Sequence, residues 1–76
     1  MDQNADFAIR LRHLREEKGT MQKDIAALTG RSNGAVNNWE VQGNVPHASV
    51  LCVLADYFDV SVDYLLGRTD NPQMNR

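Results

Sequence analysis

Apolar residues recur at helical spacing along this 76-residue chain, and the polar residues between them mark where each stretch stops. Phe7, Leu11 and Leu14 stand four and three apart, which predicts a first helix from Asn4 or Asp6 to Lys18, closed by Gly19. Residues 1–5 are polar and expected to fray. Ile9 falls on the opposite face, where a single exposed apolar residue is ordinary. Ile25 and Leu28, with the small Ala26 and Ala27 between them, predict a second helix that packs closely. Gly30 ends it, because a tight reversal needs a positive φ that glycine adopts at little cost. Ser32 is then the N-cap of a third helix. At about 100° per residue, Val36 and Trp39 share one side of it, Gly34, Asn37, Asn38 and Val41 the other, with Asn33 on the flank. After Pro46, Leu51, Leu54, Ala55 and Phe58 form the core face of a fourth helix ending near Asp59. Val60–Gly67 reads as a short fifth helix with Ser61 as its N-cap, and residues 68–72 as a turn or linker.

Two helices joined by a glycine turn, the second apolar behind and amide-bearing in front, make a helix-turn-helix. The stretch from Gln22 to Glu40 resembles that of the lambdoid-repressor family, the Cro/C1 or xenobiotic-response-element type. Gln22, Ile25, Ala26, Gly30, Ser32, Val36, Trp39 and Glu40 carry the likeness, which extends outward to about residues 7–67. It implies an all-α, compact five-helix, lambda-repressor-like DNA-binding domain over residues 1–67, with the helix-turn-helix at helices 2 and 3 and residues 68–76 as a polar tail or linker. It also implies an ion pair between Arg15 and Glu40, and a phosphate contact from Gln22.

The chain departs from the family pattern in four places. Where the family reads Leu-Thr-Gln it has Thr20-Met21-Gln22, so Thr20 is expected to cap the second helix and Met21 to turn inward. Arg31 stands where the family buries an aliphatic residue. Gly34 stands where the family often carries a base-reading side chain. The loop Val41–Pro46 lacks the usual Lys and Arg residues, leaving Gln42 and Asn44 as amides that bond phosphate without releasing many counterions.

Charge complicates the DNA reading. The net charge is −2 and the pI about 5.5, against the basic balance of a simple electrostatic binder. Its distribution helps, since Arg31 is the only charge between Ile25 and Trp39, while Arg10, Arg12, Arg15 and Lys18 lie on the first helix. The expected DNA-facing set is Gln22, Lys23, Arg31, Ser32, Asn33, Gly34, Asn37, Asn38, Gln42 and Asn44. The three asparagines are base-reading candidates because an amide pairs bidentately with adenine N6 and N7.

Few other chemistries find support. His13 and His47 are isolated. Cys52, the single cysteine, is expected as a small buried hydrophobe, and it can form neither an internal disulfide nor a metal cluster. Asp56, Asp59 and Asp63 lack a calcium loop. Neither enzymatic activity nor a cofactor is expected. With no apolar run of membrane-spanning length, no signal-peptide pattern and one cysteine, the cytoplasm is the expected compartment. Val50, Val53 and Tyr57 form a second apolar strip on the fourth helix. It is either covered by the fifth helix or tail, or a surface for self-association.

The function expected is sequence-specific binding of a double-stranded DNA operator by a bacterial or phage transcriptional regulator, most often a repressor, acting as a homodimer. A further C-terminal domain or partner protein is compatible with the family. The alternative is a protein-interaction module, antitoxin-like, on the same fold.

Overall fold

A computed structural model describes residues 3–73. Its helices are α1 (Gln3–Lys18), α2 (Gln22–Thr29), α3 (Asn33–Val41), α4 (Ala48–Phe58) and α5 (Val62–Leu65), with no strand among the described residues. The first helix therefore begins ahead of Asn4 or Asp6, and residues 1 and 2 lie outside the described residues.

α3 packs on α1 and α2, α4 on α2, and α5 closes against α1 and α4. Phe7, Leu11, Ile25, Val36, Leu54 and Leu65 are fully buried where they meet. Short connections allow this only if each helix stops sharply. Gly30, at φ 69°, ends α2 by letting the Arg31 N–H turn back to the Ala26 carbonyl at 3.0 Å. Two residues on, Ser32 Oγ accepts from the Ala35 N–H at 3.1 Å and starts α3. Ser61 does the same for α5, accepting from the Tyr64 N–H at 3.0 Å.

The start of α2 differs from expectation. Thr20 is buried and Met21 exposed, and Met21 occupies the N-cap position. The Asp24 carboxylate accepts from the Met21 N–H at 3.0 Å, so the helix is capped from its third residue rather than by a threonine hydroxyl. Thr20 takes the inward position because Tyr57 meets it: the two hydroxyls lie 3.0 Å apart, satisfying a polar group that burial would otherwise penalise. Leu28 turns out to solvent, leaving Ile25 and Ala26 as the buried residues of α2.

The strip on α4 is not a continuous surface. Val50 is buried in the core, and Tyr57 is half-buried through Thr20, with Lys18 Nζ 4.9 Å above its ring. Only Val53 of the three is exposed. Cys52, expected inside, is exposed as well.

Residues 68–72 form no helix but fold back onto α1. Arg10 Nη1 donates to the carbonyls of Tyr64 (2.9 Å) and Thr69 (2.7 Å), and Nη2 pairs with Asp70 at 2.8 Å. The same guanidinium lies 4.1 Å from the centre of the Tyr64 ring. Gly67, at φ 76°, sits so close to α1 that an added Cβ would come within 2.6 Å of Asp6 Cγ. Pro72 O accepts from the Ser61 N–H at 2.9 Å. Residues 74–76 of the expected tail lie outside the described residues.

Candidate nucleic-acid interface

α3 is held from behind by Val36 and Trp39, both buried, and this fixes which residues it shows. Asn33, Gly34, Asn37, Asn38 and Val41 are exposed. Gly34 has an ordinary helical backbone, and a Cβ there would meet only Ser32 Oγ, at 3.7 Å. Ser32, though exposed, spends its oxygen on the cap of α3. Lys23 on α2, Arg31 in the turn before α3, and Gln42 and Asn44 in the loop after it are all exposed.

One polar network ties this face to α1. Arg15 grips Glu40 with two bonds, Nε to Oε2 at 2.7 Å and Nη2 to Oε1 at 3.0 Å, and its Nη1 donates to the Thr20 carbonyl at 3.1 Å. The Glu40 side chain is only 3 % exposed and Arg15 16 %, so the pair is nearly dry and bidentate, the geometry in which a guanidinium binds most strongly. The hydrogen bond to Glu40 holds the Arg15 pKa above its ordinary value against the opposing effect of burial. Gln22, at the start of α2, joins the network: its Nε2 donates to Glu40 Oε1 at 3.2 Å and to Asn37 Oδ1 at 3.3 Å. Both side-chain amide hydrogens of Gln22 are thus engaged by Glu40 and Asn37. At this end of α2 the Asp24 N–H donates to the Met21 carbonyl at 3.0 Å, and the Met21 N–H donates to the Asp24 carboxylate at 3.0 Å.

The cations are not where their positions in the chain suggest. Arg10 is spent on the C-terminal segment, Arg12 pairs with Glu16 at 3.5 Å, Arg15 with Glu40, and Arg68 approaches Asp63 at 4.0 Å. Lys18 lies over Tyr57. Among the described residues, Lys23 and Arg31 are the basic side chains in no ion pair or ring contact.

Sequence reasoning missed the Arg10 clamp, since nothing in the spacing of a helix-1 arginine announces carbonyl partners 54 and 59 residues away. It also missed the role of Gln22 as a bridge. The isolated His13 and His47 are exposed, as are Asp56, Asp59 and Asp63, and no group of three potential metal ligands exists among the described residues. No described helix is long and apolar enough to cross a membrane.

Comparison with known proteins agrees with this geometry. The sequence model of one family, described as helix-turn-helix, matches residues 11–65. An uncharacterized HTH-type transcriptional regulator of Bacillus subtilis (strain 168), YobD, is 36 % identical over 66 residues, 87 % of this chain and 59 % of its own length. The HTH-type transcriptional regulator ImmR of the same organism is 32 % identical over 66 residues, 87 % of this chain and 52 % of its own. The chain thus spans little more than half the length of these relatives. No solved structure gives a significant match.

Proposed function

The chain belongs to the helix-turn-helix family of transcriptional regulators, and from that we propose that it binds specific double-stranded DNA operators with α3 in the major groove and represses transcription there. The observation that carries this reading is the front of α3, an exposed surface of amides free of acidic residues and held rigidly by the buried Val36 and Trp39. Asn33 and Asn38 have amides suited to the adenine edge. Lys23, Arg31, Gln42 and Asn44 hold the backbone on either side, joined by the Gln22 and Lys23 backbone amides at the start of α2.

With so few free cations, a single copy neutralises few phosphates, and its affinity is weak at physiological salt. Two copies sum their contacts and read a pseudo-palindrome with half-sites ~34–36 Å apart. The same sparse charge favours a second reading, in which the face docks on a partner protein. Footprinting on DNA flanking the chain's own gene separates the two. The operator reading predicts paired protected patches about one helical turn apart on one side of the duplex, and lower reporter output when the protein is present. Absence of any protected sequence at micromolar protein contradicts it.

A further inference from the structure

The network behind α3 decides which way round an exposed amide stands. Glu40 is held by two bonds from the Arg15 guanidinium, which is always charged, and a carboxylate so held offers only acceptors. The group that approaches Glu40 Oε1 from Gln22 at 3.2 Å must therefore be the nitrogen end of its amide. That nitrogen also lies 3.3 Å from the Asn37 side chain. A donor there requires an acceptor opposite, so Asn37 turns Oδ1 toward Gln22. The reverse flip would set two NH2 groups against each other. The Asn37 Nδ2 is left pointing away from the network, on the exposed front of α3.

We infer that Asn37 is a fixed hydrogen-bond donor on the reading face, and that it selects guanine, whose O6 and N7 are adjacent acceptors, over adenine. The assignment rests on the DNA-binding reading above and deepens it. An asparagine free to rotate offers one acceptor and one donor, which suits adenine N6 and N7. Asn37 has its acceptor turned back to Gln22. Its free Nδ2 donor can bond N7 of either purine, but guanine adds the O6 acceptor where adenine presents an N6–H donor. Gln22 and Glu40 are positioning residues here, and Asn37 alone touches the base. The expectation that all three asparagines read adenine is thereby narrowed to Asn33 and Asn38.

The test is selection from a random duplex library by wild type, Asn37→Ala, Gln22→Ala and Gln22→Met. The Gln22 variants leave the Arg15–Glu40 pair in place, and Gln22→Met keeps the side-chain length. The operator position whose preference vanishes in Asn37→Ala should be guanine in wild type, by about fivefold or more over adenine. Both Gln22 variants should bring adenine to within about twofold of guanine there, leaving other positions unchanged. Adenine at that position in wild type, no position dependent on Asn37, or an unaltered guanine preference in both Gln22 variants would each overturn the assignment alone. If wild type enriches no sequence at all, the DNA-binding reading falls and this assignment with it.

Discussion

Gly34 is the position on the front of α3 where a side chain is missing and would fit. Nothing but Ser32 Oγ lies near its absent Cβ, and its backbone is helical, so packing does not require glycine. Glycine inside a helix costs roughly 0.5–1 kcal/mol relative to alanine. Gly34→Ala should therefore raise stability by about that amount in thermal or denaturant melts. If the backbone there approaches DNA closely, the same change should lower affinity, giving a variant that is more stable and binds less well. Equal or better binding would remove Gly34 from the interface. Thr20 and Met21 show where residue-level reading stopped. Capping preferences favour threonine, but they carry no information about Tyr57, whose hydroxyl makes the buried position suitable for Thr20.

At the scale of elements, α1 and α3 are joined by Arg15 and Glu40. Removing either partner leaves the other nearly dry and unpaired, so Arg15→Ala and Glu40→Ala should each cost ~3–5 kcal/mol, measured by denaturant melts. The folded pKa of Arg15 is raised, so its contribution is fully present below the unfolded value and lost only as pH rises through the higher folded one. Melting temperature should thus show no alkaline decline from this pair between pH 6 and pH 10. A decline that Arg15→Ala abolishes would contradict that. The helices themselves were legible, because Gly30, Ser32 and Ser61 are local stop and start signals and the apolar spacing is local too. Leu28 was not, since two residues three apart do not say how wide the covered stripe is. The strip on α4 was left open between cover and self-association for the same reason: a helix that packs on both α2 and α5 buries more than one face, and periodicity does not reveal how many neighbours it has.

Across the whole molecule, the chain returns to its beginning. Residues 68–72 lie against α1 through Arg10, so the folded unit does not stop at Gly67. Asp70 is nearly fully exposed and its charge contributes little. The two carbonyl contacts, made by a largely buried guanidinium, contribute more, and Arg10→Ala should cost ~2–3 kcal/mol. A chain ending at Gly67 should likewise melt below one ending at Gln73, and equal melting temperatures would reject the clamp. The same fold-back occupies Arg10, and composition could not have shown that, among the described residues, only Lys23 and Arg31 are basic side chains in no ion pair or ring contact. Which side of α3 is exposed was legible in the spacing of Val36 and Trp39. The direction of each amide on it was not, because that depends on contacts 15 and 18 residues apart.

The central claim is that the front of α3 reads DNA sequence. It is tested most directly by titrating wild type and the Asn33→Ala/Asn38→Ala double variant, at several salt concentrations, against a library-selected duplex and a scrambled one. Both substitutions lie on exposed positions, so the variant should melt with the wild type. Wild type should prefer the selected duplex at every salt concentration, and the variant should lose ~1–3 kcal/mol of that preference per asparagine that contacts a base while keeping its affinity for the scrambled one. A variant that discriminates as well as wild type, or a wild type that binds both duplexes alike, would contradict it.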